Sequence, residues 1–179
     1  VALAAWGIGN RVSNMGLMTA FALQSAVRTM VGQNIGAQRP ERARRAAWAT
    51  IGAVFIILSC TTSAIFLWAP EIIRFFGMSG EAMPAGIACL RTLCLGIVFE
   101  GTRRVISGIF EGAAQTKPPM FVEALIRWPV MLPMAYGASV WLGLRESGIW
   151  WAVAGSQVLG GLALFFWFKF GWERRIRES

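Results

Sequence analysis

An all-α, polytopic transmembrane bundle is the fold class this sequence predicts, and three observations predict it. The 179 residues are 56% hydrophobic with a mean hydropathy of +0.55, too apolar for a soluble domain of this size. The apolar residues gather into five long stretches separated by short polar segments. The nine Trp suit interfacial belts, and the basic residues cluster at the ends of the stretches.

The first stretch, 3–33, contains Gly7, Gly9, Gly16, Asn10, Asn14 and Gln24. Small and polar residues in a spanning helix allow close contact and interhelical hydrogen bonds. Gly36 is placed to end this helix and Pro40 to start the next. Arg39, Arg42, Arg44 and Arg45 make this loop the strongest positive-inside signal in the chain. The second span, 44–69, ends at Trp68 and Pro70. Between 71 and 83 the pairs Ile72-Ile73 and Phe75-Phe76 suggest a short helix lying at the interface. The third span, 84–114, closes before Lys117-Pro118-Pro119, where the double proline is expected to force a break. In the fourth, 120–142, Pro129 and Pro133 predict a kink, and Glu123 and Arg127 read as an i,i+4 structural clamp. The fifth, 149–170, is flanked by Trp150-Trp151 and by Trp167 and Trp172.

Loops on one side hold four Arg, one Lys and, in the tail, three Arg; the opposite loops hold Arg74 and Arg145 alone. This asymmetry places the C-terminus in the cytoplasm and Val1 near the outer face of a cytoplasmic membrane. Basic residues so arranged read as topology, and no nucleic-acid partner is expected despite a pI near 11.0. The chain starts inside an apolar pattern, without an initiator Met or a signal peptide. It therefore reads as the C-terminal piece of a longer protein.

Several chemistries are excluded. With no His, imidazole catalysis and His metal sites are absent. Cys60, Cys89 and Cys94 lie in apolar segments without metal-ligand spacing and read as packing residues. No nucleophile–base pair or acidic loop cluster marks an enzyme, and no resident cofactor or metal is expected.

The third span carries the chemistry. Glu100, Arg104, Ser107 and Glu111 fall within about 60° of one another on a helical wheel, with Arg103 at the edge of that face. Leu95, Val98, Thr102, Val105, Ile106 and Ile109 lie opposite. Glu100 lies about 24 Å along the helix from Pro84, near mid-span. Charge within a membrane helix is costly and marks substrate or ion pathways, at the depth where transporters bind their solutes. The competing reading is structural: Glu100 neutralises Arg103 and Arg104 one turn away.

Val31-Gly32-Gln33-Asn34-Ile35-Gly36-Ala37, followed by Arg39-Pro40-Glu41-Arg42-Ala43, resembles the conserved loop of the multidrug and toxic compound extrusion (MATE) family, in its second-lobe copy. Gly112-Ala113-Ala114-Gln115-Thr116-Lys117-Pro118 is similar to the family's Gly-x-Gly-Asp-Thr-(Lys/Arg)-x-Pro turn, with Ala114 and Gln115 replacing the second Gly and the Asp. The start of the chain and Gly148-Ile149-Trp150-Trp151-Ala152 also resemble family segments, in the right order. The resemblance implies helices eight to twelve of a twelve-helix exporter with two six-helix lobes around a central cavity. Such a protein expels amphipathic or cationic small molecules across the bilayer in exchange for Na⁺ or H⁺. It implies a missing N-terminal lobe as the partner of this piece and Glu100 at the position of a cation-binding acid of some members. Two further readings stand beside the exporter. One is a lipid-linked oligosaccharide flippase of the same superfamily, whose pyrophosphate Arg103 and Arg104 would suit. The other is a structural membrane fragment without activity of its own.

Overall fold

A computed structural model describes residues 2–78, 80, 82–141, 143 and 145–172. Ser79 and the basic tail 173–179, on which part of the topology expectation rests, lie outside these residues. Among the described residues every regular element is helical. They are α1 (Ala2–Gly36), α2 (Pro40–Leu67), α3 (Ala69–Phe75), α4 (Ala82–Gly112), α5 (Lys117–Leu125), α6 (Leu132–Tyr136) and α7 (Arg145–Trp167). Three helices among the described residues are long and apolar enough to cross a membrane: Pro40–Leu67, Ala82–Gly112 and Ser147–Gly171. The other two expected spans, 3–33 and 120–142, are helical over their described residues, but richer in polar residues or interrupted.

The bundle is built around α4, which packs against α1, α2, α3, α5 and α7. Glycine makes the tightest crossing. A Cβ on Gly108 would lie 2.7 Å from the Gln24 carbonyl oxygen, and one on Gly112 would collide with that of Arg28. Four residues apart, the two glycines form a flat seam on which α1 lies against the backbone of α4. Gly32 of the first loop motif meets the Gly112 carbonyl oxygen of the second, at 3.3 Å for an added Cβ. Val27, Leu58, Leu90, Ile106, Ile109 and Phe110 are fully buried in the core of the bundle. Three buried threonine hydroxyls are satisfied by turning back on their own helix. Thr50, Thr92 and Thr102 each donate to the carbonyl four residues earlier at 2.8 Å.

Two local expectations change. The third span does not end because of Pro118 and Pro119. It ends at a left-handed residue, Ala114 (φ 56°). The amide of Gln115 donates to the Phe110 carbonyl and that of Ala114 to Glu111, at 2.8 and 3.0 Å, which is the Schellman closure. The prolines instead occupy the first turn of α5, where a missing N–H costs nothing. The same closure ends α1, with Gln38 left-handed (φ 55°) and Arg39 and Gln38 donating to Asn34 and Ile35. In the fourth stretch the proline disturbance takes the form of a π-helical turn over Ile126–Met131, with Pro129 inside it. A wider turn relieves the clash between the proline ring and the carbonyl four residues back. The short helix expected between the second and third spans is α3, with Phe75 exposed and Ile73 buried.

Candidate functional site

All five charged or polar residues singled out on the third span lie on α4, and the bundle gathers them against α1 and α5. Glu100 is 5% exposed. One of its oxygens accepts from Arg103, Nη2 at 2.6 Å and Nε at 3.0 Å. The other pairs with Arg104 Nη2 at 2.8 Å. Arg103 continues outward from its own helix and pairs through Nη1 with Glu123 of α5. Glu123 in turn holds Arg127, Nη2 at 2.6 Å. The result is a single chain of alternating charge, Arg104–Glu100–Arg103–Glu123–Arg127, bridging two helices. Glu111 pairs separately with Arg28 of α1 at 3.3 Å.

Two open chambers adjoin this chain. The first, about 600 Å³, is lined by Gln24 and Arg28 of α1, by Arg103, Arg104, Ser107 and Glu111 of α4, and by Thr116, Pro119, Met120, Glu123 and Arg127. The second, about 280 Å³, has a mixed lining that includes Asn10, Ser13, Asn14, Glu100, Ser156 and Gln157 beside Trp6, Leu93, Ile97 and Val153. Arg103, Arg104, Glu123 and Arg127 belong to both walls. In the second chamber two buried polar atoms, Ser13 Oγ and Gln157 Oε1, have no hydrogen-bond partner. Such atoms favour water or a polar solute beside them. Both readings of the stripe thus describe the same residues: they are ion-paired, and they line cavities.

Glu123 and Arg127 form the expected i,i+4 pair, but Glu123 also reaches α4, which local spacing does not reveal. Gln157 went unnoticed because a lone Gln on an apolar helix carries no motif. Arg91, also on α4, stacks on Phe66 of α2 at 4.9 Å, well away from the chain. The family-loop residues are not part of the charged chain. Gly32 and Gly112 make the α1–α4 crossing described above. Gly36, expected to end α1, is its last helical residue while the left-handed closure falls two residues on at Gln38, and Gln33 and Asn34 lie in the last turn, Asn34 donating to the Met30 carbonyl at 2.7 Å. Thr116 precedes α5 and faces the first chamber. Lys117 and Pro118 line a third cavity with Phe110, Phe121 and Trp167.

Long apolar helices packed around one charged helix, with open chambers along its charged residues, define a polytopic helical membrane protein. The family model described as MatE matches residues 1–137. The chain therefore belongs to the MATE family. It is 29% identical over 175 residues to a probable multidrug resistance protein NorM of Mesorhizobium japonicum, covering 93% of this chain and 37% of that protein. It is also 29% identical over 187 residues to a probable NorM of Pseudomonas aeruginosa, covering 99% and 38%. The fold superposes on an outward-facing MATE family transporter with a TM-score of 0.89 at 18% identity, over 98% of this chain and 39% of that one. An inward-facing MATE family transporter gives 0.82 at 19%, over 95% and 38%. At these identities the structural likeness shows the fold. The chain spans under two fifths of the length of these relatives.

Proposed function

We propose that this chain forms part of the second lobe of a cation-coupled antiporter that exports drugs and other xenobiotics across the cytoplasmic membrane. The observation that carries this reading is the Arg–Glu chain on α4 and α5, which lines two adjoining open chambers in a protein of this family. A packed ion pair with no traffic needs no chamber beside it. Glu100 and Glu123 share Arg103, so a change at either carboxylate alters the hold on the same guanidinium. A proton or Na⁺ taken up by Glu100 or Glu123 weakens its grip on the Arg at the chamber wall. Alternating access then needs a second lobe, contributed by the rest of the protein, rocking against this one. Amphipathic small molecules are the cargo, and Na⁺ or H⁺ is the coupling ion. The Arg distribution sets α1 running inward and the C-terminus in the cytoplasm.

The test is efflux. The full-length protein, expressed in bacteria lacking their main drug pumps, is expected to lower accumulation of ethidium or of the zwitterionic dye rhodamine B. The effect should depend on an imposed Na⁺ or pH gradient. Unchanged accumulation of both dyes, with the protein present in the membrane, would remove the exporter reading.

A further inference from the structure

The charges beside the two chambers do not cancel. Arg104, Arg103 and Arg127 share two carboxylates, Glu100 and Glu123. The chain therefore has an Arg at each end and one positive charge in excess. The other ion pair on the wall, Arg28–Glu111, balances itself.

The excess is also directed. Arg104 lies over the Phe21 ring at 4.4 Å, and one Nη is taken by Glu100. Its Nε–H is buried and has no partner. An arginine held flat on a ring, with its side chain 31% exposed at the chamber wall, is pre-organised for a planar or tetrahedral oxyanion. Thr116, Pro119 and Met120 bring the start of α5 to the same chamber wall.

We propose that the chamber of about 600 Å³ is an oxyanion site. It takes the carboxylate, sulfonate or phosphate of an amphipathic molecule, with Arg104 as principal donor and Arg127 at the far end of the chain. The volume suits a drug-sized group, and Pro119 and Met120 supply an apolar wall beside the guanidiniums. The inference rests on the exporter reading and deepens it: the part of the cargo that meets this lobe is negative. An amphipath with a negative group is then held more tightly at this site than its uncharged parent.

The test uses the full-length protein in phosphatidylcholine nanodiscs and two fluorescent probes of one shape. These are 8-anilinonaphthalene-1-sulfonate and its uncharged parent N-phenyl-1-naphthylamine. The sulfonate is expected to bind at least tenfold tighter. Arg104→Gln should erase about tenfold of its affinity while moving the neutral probe less than twofold. Glu123→Gln, which raises the excess charge, should tighten the sulfonate severalfold, so the proposal stays testable if Arg104→Gln folds poorly. Repeating the titration with phosphatidylglycerol in the disc separates two sources of the same chemistry. Competition that disappears in Arg104→Gln assigns the site to a lipid headgroup phosphate, and absence of competition assigns it to a solute. Equal affinity of the two probes, or a sulfonate affinity indifferent to both substitutions, overturns the proposal. Binding is read without transport, so that result and a failure of dye efflux are separate outcomes.

Discussion

Glu100 holds two guanidiniums at once, and that governs what its loss does. In Glu100→Gln, Arg103 and Arg104 lose the carboxylate between them, side chains only 12% and 31% exposed. Breaking one side of a buried ion pair costs about 3–5 kcal/mol. The variant is expected to reach the membrane at a lower level and to unfold earlier on heating. Arg103 keeps Glu123, so adding Arg104→Gln removes the charge left without a carboxylate and should restore much of the melting temperature. On the proposed function, dye efflux stays low in that double variant. Efflux near wild type in a stable double variant would make Glu100 a purely structural counter-ion. The i,i+3 and i,i+4 partners of Glu100 follow from helical spacing. The link from Arg103 to Glu123 does not, because it spans two helices and depends on how α5 returns against α4.

At the scale of the element, the loop after α4 carries a strained residue where the family pattern has glycine. Ala114 sits at φ 56°, a left-handed conformation that costs a residue with a Cβ about 1–2 kcal/mol. Part of that is recovered because Ala loses less freedom than Gly on folding. Ala114→Gly is therefore expected to stabilise the protein by about 0.5–1 kcal/mol, seen as a rise in the thermal midpoint with the α4–α5 turn unchanged. A fall in the midpoint would contradict the left-handed assignment. The departure from the motif was visible in the sequence, but its consequence needed the backbone angle. The fourth stretch teaches the same lesson: two prolines announce a disturbance, yet only the packed chain shows that it is absorbed as a wider turn over Ile126–Met131.

For the whole molecule, orientation is the main expectation still to be measured. After replacement of Cys60, Cys89 and Cys94, a cysteine introduced at Gln38 should react with a membrane-impermeant thiol reagent only from the cytoplasmic side. One at Ser79 should react only from outside. The reason is the Arg cluster from Arg39 to Arg45. Labelling of Gln38 in intact cells would invert the topology. Many large apolar side chains remain exposed on this bundle, among them Phe21, Ile56, Trp128 and Tyr136. Lipid and the rest of the transporter are the surroundings the proposed function gives them.

Composition, the basic loops and the two loop motifs were enough to determine a helical membrane protein of the MATE family. Hydrophobic length and charge at helix ends are local properties, and motifs are contiguous. The stripe on α4 was legible for the same reason, since helical periodicity puts Glu100, Arg104, Ser107 and Glu111 on one face. Only the tertiary structure decided that the stripe is stitched to α5 through Glu123. It also decided that Gly108 and Gly112 bring α1 onto the α4 backbone and that the charged chain lines two adjoining chambers. Each of these depends on distances between residues far apart in the sequence, which are set by how the helices pack and not by the residues' own spacing.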